Sequence, residues 1–274
     1  MTDVRERTAF ITGGANGIGL GIARSLARKG VRLALTDIDA SGLSVAKAEL
    51  ETITSVETFV LDVRDRDAYA RVADAAEEAL GPVSLLFNNA GIVVSGPAEG
   101  LTYALWDWSL GINLVGVING IQTFLPRIVE RGGGGHIVNT ASGAGLAATS
   151  SGVLYCTAKF SVVGMSEALN AELAPSGIGV TVVCPGLVNT EIHRRSNENA
   201  PLEGLRMTDE QAQRKAERNA LVGAYLKQAI GIDVVGEMVL QGVSEDRLYV
   251  HTDRLMEEPV RARGAALLAA LPAA

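Results

Sequence analysis

Short apolar runs alternate with longer amphipathic stretches along most of the chain. The runs predict strands over 8–12, 31–36, 56–61, 83–88, 136–140 and 178–184, with a seventh over 247–251. The stretches between them predict helices over 18–29, 42–52, 66–80, 103–130 and 152–173. The strands are nearly continuous Val, Ile and Leu, which is typical of strands covered on both faces. The alternation predicts an α/β fold: a doubly wound parallel sheet of about seven strands with helices on both faces.

The segment 187–228 departs from this alternation, since it begins as an irregular loop and becomes a charged helix around 209–227. A long excursion over the carboxyl ends of parallel strands lies where an open sheet binds its ligand, so we predict a mobile substrate lid. The alternative is a solvated surface helix. Seven Lys and Arg against six Asp and Glu predict paired charges there and no net attraction for an anionic substrate. Without a Pro- or Ser-rich linker or an internal repeat, residues 1–274 are predicted to form a single domain.

Composition narrows the classes of partner. Asp and Glu outnumber Lys and Arg by 31 to 24, so the net charge is −7, and without a basic run nucleic acid is not expected to bind. Two cysteines are too few for a disulfide scaffold or a zinc cluster, and three scattered histidines predict no metal site. The charged start lacks a signal-peptide pattern, and no apolar run approaches about 18 residues. A soluble, cytoplasmic protein without a membrane partner is expected.

Three glycines follow the first predicted strand. Gly13, Gly17 and Gly19 stand in the pattern GxxxGxG, immediately before the first predicted helix. Glycine permits positive φ and lets the backbone approach a pyrophosphate, which then lies on the helix N-terminus. An ordinary tight turn is the alternative, but the position between strand and helix favours a dinucleotide-binding (Rossmann) turn.

Two acidic positions bear on the choice of cofactor. Asp37 ends the second predicted strand, where a carboxylate can accept hydrogen bonds from ribose hydroxyls and would repel a 2′-phosphate. No Arg or Lys lies in the turn or directly after Asp37, which favours NAD over NADP. Asp62 and Val63 follow the third strand and can place a carboxylate and an amide at an adenine edge, or Asp62 can be a simple helix cap.

A tyrosine and a lysine are one helical turn apart in Tyr155-Cys-Thr-Ala-Lys159. A nearby ammonium stabilises a phenolate, so that a tyrosine can exchange a proton with an alcohol or ketone near neutral pH. Such pairs are also common on helix surfaces. Ser142 follows the fifth predicted strand, so its hydroxyl is expected at the carboxyl edge of the sheet, ready to bond a substrate oxygen.

Further motifs complete a family pattern: Asn88-Asn-Ala-Gly91 ends the fourth strand, Asn113 lies in the long helix, and Pro185-Gly186 ends the sixth strand. Together with the glycine turn and the Tyr-Lys pair, they resemble the short-chain dehydrogenase/reductase family, in its short single-domain branch, over about residues 8–190. The resemblance implies a catalytic tetrad of Asn113, Ser142, Tyr155 and Lys159. Tyr155 would be the general acid/base, tuned by Lys159, which would also hold the nicotinamide ribose. Ser142 would orient the reacting oxygen, and Asn113 would support a water that links Lys159 to solvent.

The resemblance also implies the residues that hold the cofactor. Those at its adenine half and linkage would be Gly13, Asn16, Gly17, Ile18, Gly19, Asp37, Asp62, Val63 and Asn89. Those at its nicotinamide end, besides Tyr155 and Lys159, would be Pro185, Val188 and Thr190.

The substrate class is indicated by aliphatic positions beside these motifs. The candidate wall residues, each of which can instead belong to the core, are Val93, Val94, Leu146, Ala147, Ala148, Leu187 and Val188. Residues 101–108, 113–120 and 248–252 are similar to the Cα-dehydrogenases of bacterial lignin-dimer breakdown, which oxidise bulky benzylic secondary alcohols with NAD. We therefore expect an NAD-dependent oxidoreductase acting on a hydrophobic secondary alcohol and its ketone, with aromatic alcohols as a candidate class.

Two alternatives remain open: an NADPH-dependent carbonyl reductase on the same fold, and a dinucleotide-sensing module without turnover. The family resemblance further implies a homo-oligomer, a tetramer or a dimer, built on the two long helices that carry Asn113 and Tyr155.

Overall fold

A computed structural model describes residues 2–272 of the chain. Its centre is a seven-stranded parallel sheet with the order β3-β2-β1-β4-β5-β6-β7. The strands are β1 Thr8–Thr12, β2 Arg32–Asp37, β3 Val56–Val60, β4 Val83–Asn88, β5 Gly135–Thr140, β6 Ile178–Cys184 and β7 Tyr249–His251. The predicted doubly wound fold is confirmed, and β1, β4 and β6 have the predicted bounds.

Helices connect these strands. Among the described residues the α-helices are α1 Gly17–Ala27, α2 Ala40–Leu50, α3 Arg66–Leu80, α4 Tyr103–Leu110, α5 Gly116–Arg131, α6 Val153–Leu173, α7 Ile192–Asn199, α8 Asp209–Leu226, α9 Ile232–Ser244 and α10 Glu257–Ala269. The sequence pattern predicts none of α7, α9 and α10. In α9 the buried Val235, Val239 and Val243 recur at helical spacing, which is a signal that could have found it. Helix α10 buries no residue, so it carries no such stripe.

The two faces of the sheet are covered by different helices. Ile11 of β1 packs in a cluster with α1 and α9, whereas its neighbour Phe10 packs in a cluster with α3 and α5. Successive side chains alternate across a strand, so one strand supplies both clusters. The rings of Phe10 and Phe124 of α5 have centroids 4.7 Å apart. Burial on both faces explains why the strands are apolar almost throughout.

The order of the strands reverses between β1 and β4. From β1 the chain moves outward through β2 and β3, and from β4 it moves outward through β5, β6 and β7. The loops that leave the carboxyl ends of β1 and β4 therefore diverge, and a crevice opens between them. This crevice is the place where the predicted site residues meet.

The helix predicted over 103–130 is helical throughout but not a regular α-helix. A π-helical turn, Gly111–Val115, separates α4 from α5. Glycines at its start and just after its end are in close contacts: a Cβ added at Gly116 would lie 2.6 Å from a methyl of Val63, and one at Gly111 would lie 3.1 Å from Cδ of Arg64. The one extra residue of the turn shifts the apolar spacing by a single position, which the sequence pattern does not reveal.

The helical stretch that contains α4, the π-helical turn and α5 bears on the expectation that no apolar segment is long enough to cross a membrane. Residues Tyr103–Arg131 form a helical stretch of 29 residues whose 18-residue window has a mean hydropathy of 1.3, long and apolar enough to cross a membrane by those two measures. In this structure 44% of that window is buried. Val117, Ile121 and Phe124 pack against the sheet, which accounts for the apolar composition.

Candidate active site

A cavity of about 670 Å³ lies at the carboxyl edge of the sheet. It runs from a carboxylate end, marked by Asp37, Asp39 and Asp62, to an α8 end, marked by Ser151, His193 and Leu226. Of the predicted site residues, it is lined by Gly13, Asn16, Gly17, Ile18, Asp37, Asp62, Val63, Asn89, Ser142, Tyr155, Lys159, Pro185, Leu187, Val188 and Thr190. The two sets of motifs, read from opposite halves of the chain, therefore share one site.

The glycine turn has the backbone geometry that an anion-binding turn requires. Gly13 and Gly17 have φ of +66° and +56°, in the left-handed region where a side chain is strained. A Cβ on Gly19 would lie 2.7 Å from Nδ2 of Asn89, so Gly19 is needed for close packing although it does not line the cavity. Asn16 is the N-cap of α1, but its side chain bonds no first-turn amide. Those amides face the cavity without a side-chain cap, as an anion site at a helix start requires.

Asn89 holds this turn against β4. Its Nδ2 donates to the carbonyl oxygens of Thr12 and Gly13 at 3.2 and 3.3 Å, and its Oδ1 accepts from the hydroxyl of Thr140 at 3.2 Å. The side chain joins the ends of β1 and β5 across the crevice. Asn89 therefore positions the turn as well as lining the cavity.

Asp37 is held at the end of β2 by backbone donors. Its carboxylate accepts from the N–H of Ala15 at 3.2 Å and from the N–H of Asp39 at 3.1 Å. Burial raises the pKa of Asp37, and these hydrogen bonds together with the nearby charge of Arg195 oppose the rise. A carboxylate has about four lone-pair sites, so two acceptor positions remain for ligand hydroxyls.

Arg195 of α7 brings a cation to the carboxylate end that sequence reasoning missed. Its guanidinium donates to Oδ2 of Asp39, which also caps α2 through the N–H of Gly42 at 2.9 Å. Hydrogen bonds from Ser41 and Gly42, and the ion pair with Arg195, lower the pKa of Asp39 to about 2. No cation lies near Asp37 in the sequence, but the fold brings one close to it. The sequence could not show this, because Arg195 and its partner Asp39 are 156 positions apart.

Asp62 is engaged by its neighbour Arg64. The Arg64 Nε lies 3.0 Å from both carboxylate oxygens, and this contact lowers the pKa of Asp62. Helix α3 is capped instead by Asp65, whose Oδ1 accepts from the N–H of Ala68 at 2.9 Å. The alternative interpretation of Asp62 as a helix cap is therefore wrong. Val63 is buried beside it.

Lys159 is buried between α6 and the end of β5. Its side chain is 3% exposed, and its Nζ donates to the carbonyl oxygen of Thr140 at 2.9 Å. Burial lowers the pKa of Lys159 to about 8. In the described part of the chain no carboxylate pairs with this ammonium. Two of its three donor positions are left for other acceptors in the cavity.

Asn113 lies on the far side of Gly91 from the cavity, inside the π-helical turn. Its Oδ1 accepts from the N–H of Ile92 at 3.1 Å and its Nδ2 donates to the Ile92 carbonyl at 3.0 Å. A Cβ on Gly91 would lie 3.1 Å from this Oδ1 and 3.4 Å from Nζ of Lys159. Asn113 is thus close to Lys159 but does not line the cavity. π turns recur at functional sites, and this one carries a residue of the predicted tetrad.

Tyr155 and Ser142 meet at the centre of the cavity. Burial raises the pKa of Tyr155, and its hydrogen bond with Ser142 opposes that rise. The Nζ of Lys159 lies 5.6 Å from the centroid of the Tyr155 ring. Ser142 caps a short 3₁₀ turn, Gly143–Gly145, through the N–H of Ala144 at 3.2 Å. Its one hydroxyl hydrogen can be donated either to Tyr155 or to a ligand oxygen.

The walls near Tyr155 are largely apolar, but they differ from the predicted set. Leu187 and Val188 line the cavity, whereas Val94 packs in a separate cluster with Leu105 and Leu154, and Leu146 packs against the core under α6. These two are held elsewhere because apolar neighbours cover them. The predicted Val93 also lines the cavity, and the additional lining residues are Ile92, Trp108, Ile112, Ile192, His193 and Leu226.

The missed lining residues come from the loop after β4, α4, the π-helical turn, α7 and α8. The helical spacing of Trp108 and Ile112 could have placed both on one face. The sequence predicts that the segment 187–228 lies over the carboxyl ends of the strands, but not which of its side chains line the cavity.

Comparisons with known proteins agree with this geometry. The family model described as short chain dehydrogenase matches residues 7–201. The C alpha-dehydrogenase of Sphingobium sp. strain SYK-6 is 34% identical over 252 residues, covering 91% of this chain and 81% of that protein. The D-threitol dehydrogenase of Mycolicibacterium smegmatis is 38% identical over 191 residues, covering 69% and 73%.

Solved structures are similar over the whole chain. A short chain dehydrogenase/reductase from Burkholderia phymatum, determined in complex with NAD, has a TM-score of 0.88 and 31% identity and covers 100% of this chain and 99% of that one. The LigO protein of Sphingobium sp. strain SYK-6 has a TM-score of 0.82 and 33% identity, covering 98% and 90%. The likeness therefore extends beyond the motifs to the arrangement of the whole chain.

Proposed function

The chain belongs to the short-chain dehydrogenase family, and on that premise we propose that it is an NAD-dependent dehydrogenase of hydrophobic secondary alcohols. The observation that carries the proposal is the meeting of Tyr155, Ser142 and buried Lys159 in one cavity with the glycine turn. A sensor that only binds a dinucleotide has no chemical need for a phenol, a hydroxyl and an unpaired ammonium at the same point. The family relatives named above as dehydrogenases support an oxidoreductase.

The residues fit a nicotinamide dinucleotide. The uncapped start of α1 and the positive φ of Gly13 and Gly17 suit a pyrophosphate, and the free acceptor positions of Asp37 suit ribose hydroxyls. Thr190 lies over Gly17, since a Cβ there would be 3.5 Å from its methyl. Lys159 would donate to the ribose nearest the reacting ring. When bound, the nicotinamide supplies the hydride acceptor or donor.

The side chains of this site can then handle the proton. A ketone oxygen would accept hydrogen bonds from Ser142 and Tyr155, and the raised pKa of Tyr155 keeps its phenol protonated as the donor. In the oxidative direction Tyr155 must accept the carbinol proton, and the nearby Lys159 ammonium favours the phenolate that does so. Asn113 fixes the turn after β4 through both bonds to Ile92, and we assign it a positioning role beside Lys159.

The preference for NAD rests on Asp37, which would repel a 2′-phosphate. Arg195 is the observation that favours the second candidate, an NADPH-dependent carbonyl reductase, because it brings a guanidinium to the same end of the cavity. This guanidinium is already paired with the carboxylate of Asp39. A neutralised cation attracts a phosphate weakly, so NAD remains the preferred assignment.

The substrate proposal rests on the aliphatic and aromatic lining near Tyr155. Ile92, Val93 and Leu187 would contact a bulky apolar group, and we include Leu187 among the substrate residues. The C alpha-dehydrogenase relative supports an aryl carbinol, whereas the D-threitol dehydrogenase relative keeps polyols in the comparison.

A spectrophotometric panel tests the proposal. Formation of reduced cofactor is followed with 1-phenylethanol, a bulkier aryl carbinol and threitol, each with NAD⁺ and with NADP⁺. We expect turnover of the aryl carbinols with NAD⁺ at a kcat/KM at least about ten times that with NADP⁺, a difference of about 1.4 kcal/mol. Preference for NADP⁺ would favour the reductase. Silence across the panel with tight NADH binding would favour the sensor, and better turnover of threitol would overturn the apolar substrate.

The predicted homo-oligomer also remains a proposal. Ile118 and Val129 on α5 and Val153 on α6 are exposed apolar residues on the two helices where the contact is expected. Light scattering at micromolar concentration should give a tetramer or a dimer, and a monomer would reject the prediction.

A further inference from the structure

A second cavity, of about 50 Å³, adjoins the α8 end of the large one. The two share Val93, Ser151 and His193 in their walls. The remaining lining comes from the loop after β4, the loop before α6, and helices α7 and α8. These residues are Val94, Ser95, Ser150, Asn197, Lys215, Arg218, Asn219 and Val222. A group attached to a ligand at Tyr155 can therefore extend into a small polar space lined by two cations.

Helix α8 directs these cations inward. Lys215, Arg218, Val222 and Leu226 follow one another at three- or four-residue spacing and line one or other cavity. The acidic residues of the helix lie on its exposed side, and Glu210 pairs there with Arg214 at 2.5 Å. A solvated helix has the opposite arrangement, with charged residues outward and apolar residues inward. The expectation of paired, solvated charges is therefore wrong for Lys215 and Arg218.

Of the two inward cations only Arg218 has hydrogen bonds, and its partners are neutral groups. The Arg218 guanidinium donates to the carbonyl oxygen of Ser150 at 2.8 Å and to the hydroxyl of Ser95. Within residues 2–272 neither Lys215 nor Arg218 forms an ion pair with Asp or Glu.

The nearby titratable groups respond to this excess of positive charge. Burial and the charge of Arg218 lower the pKa of Lys215, and the same two causes lower the pKa of His193. Cations withdrawn from water without an anion cost free energy, and a bound anion recovers it.

We propose that this second cavity is a subsite for a carboxylate of the substrate, bound by Arg218 and Lys215 while the carbinol lies at Ser142 and Tyr155. The inference rests on the proposed function and specifies its substrate class: an apolar, aryl-containing hydroxy acid. The space holds a group of a few atoms, since a water needs only about 10–15 Å³ of the same kind of volume. Arg218 is already oriented by its two bonds, and an arginine so held presents its remaining N–H groups to a carboxylate at little entropic cost.

Binding without turnover tests the subsite directly. The protein is saturated with NAD⁺, and ketones are titrated calorimetrically, because a ketone cannot react with the oxidised cofactor. The probes are two pairs, 4-acetylbenzoate with 4-acetylbenzamide, and 4-oxo-4-phenylbutanoate with its amide. The amides keep the size and remove the charge. We expect at least one acid to bind about tenfold tighter than its amide, which corresponds to about 1.4 kcal/mol.

Two variants separate the effect of the positive charge from the effect of the hydrogen bonds that tie α8 to the neighbouring loops. Arg218→Gln removes a cation together with the bonds to Ser150 and Ser95, whereas Lys215→Gln removes a cation that makes no hydrogen bond in the described residues. In both variants the ratio of acid to amide affinity should fall toward one. Arg214→Gln is the matched control, because Arg214 lies on the same helix, exposed and paired with Glu210. Its ratio should equal that of the unmodified protein.

The outcomes distinguish the subsite from the proposed activity. Equal affinities for the acids and their amides, or a ratio that survives both Lys215→Gln and Arg218→Gln, would overturn the subsite while oxidation of neutral carbinols leaves the dehydrogenase standing. Tight, charge-dependent binding of an acid supports the subsite even if the alcohol panel shows no turnover, and in that case the activity fails and the subsite does not.

Discussion

The carboxylate end and the α8 end of the cavity differ in how their charges are balanced. At the carboxylate end each acidic group has a donor: Asp37 has two backbone amides, Asp39 has Arg195, and Asp62 has Arg64. In the second cavity, which adjoins the α8 end, Lys215 and Arg218 line the wall, and no described carboxylate pairs with either. Arg195, Lys215 and Arg218 all come from the segment 187–228, but of these three only Arg195 has an acidic partner among the described residues.

The difference indicates what each end is prepared to bind. A region with balanced charges can accept neutral hydroxyls and an adenine without rearrangement. A region with unbalanced cations is least favourable when empty and improves when an anion arrives. Tyr155, Ser142 and Lys159 lie between the two, so chemistry occurs where the balanced end meets the unbalanced one.

The largest effect is expected at the boundary itself. Tyr155→Phe removes the proton donor and should lower kcat by about 10²–10⁴-fold, because general acid/base catalysis has that magnitude. NADH binding, followed by fluorescence, should change little, since the ring remains. Tyr103→Phe is the control, because Tyr103 is 88% exposed on α4 and should retain full activity. Retained turnover in Tyr155→Phe would reject the assigned role.

Lys159→Met should change how stability depends on pH. The folded pKa of about 8 lies below the ordinary value of 10.5 because the ammonium is buried. Below pH 8 both folded and unfolded states are protonated and the folded state bears the cost of burial; above 10.5 both are neutral and the cost is absent. The unmodified protein should therefore gain roughly 3 kcal/mol of unfolding free energy relative to the variant between these pH values.

Urea unfolding of the two proteins at matched pH values measures this difference, and the titration of other groups cancels between them. Parallel pH profiles would mean that Lys159 is not an unpaired buried ammonium.

Asp37→Ala removes a carboxylate near Arg195, so the positive charge of Arg195 is less fully balanced. The carboxylate end then resembles the second cavity, where the cations have no acidic partner. The ratio of kcat/KM with NADP⁺ to that with NAD⁺ should rise about tenfold or more, or about 1.4 kcal/mol. Adding Arg195→Gln should cancel part of this rise in the ratio if the Arg195 guanidinium faces the 2′-phosphate. Asp67→Ala, at an exposed position on α3, is the control. An unchanged ratio in Asp37→Ala would contradict the basis of the NAD assignment.

Arg195→Gln alone tests the weakest part of the comparison. The Arg195 and Asp39 side chains are 33% and 22% exposed, and pairs near the surface contribute up to about 1 kcal/mol. The KM for NAD⁺ should rise about two- to fivefold, which that energy allows. Arg5→Gln removes an exposed arginine that pairs with Asp3 away from the cavity lining, and it should leave KM as it was. Identical values in the two variants would show that the pair does not support binding.

Much of the fold could be predicted because its signals are local. The bounds of α3 and β4 match the prediction, since buried runs and a Gly-Pro end mark them in the sequence. Helix α10 and the π-helical turn could not be predicted, because the first buries nothing and the second shifts the apolar spacing by only one position. Periodicity reports burial and is insensitive to elements that do not change it.

The site divides in the same way. Tyr155 and Lys159 are one turn apart, so their proximity is a property of any helix. The ion pair of Arg195 with Asp39 joins residues 156 positions apart and depends on how α7 crosses the sheet. The numbers of cations and anions in 187–228 do not tell which side of α8 each charge occupies. The spacing of Lys215, Val222 and Leu226 carries that information.

The π-helical turn Gly111–Val115 closes its backbone hydrogen bonds from i to i+5, so it holds one residue more than a regular α-helical turn. That extra residue is taken up inside the turn, so deleting a residue there would restore regular α-helical geometry with little rotation of α4 relative to α5. Leu105 would keep its buried contact beside Val94, and Trp108 would keep its place in the cavity wall. The deletion would instead remove the widened turn from which Asn113 bonds both backbone groups of Ile92. The extra residue thus serves the site locally and leaves the packing on either side as it is.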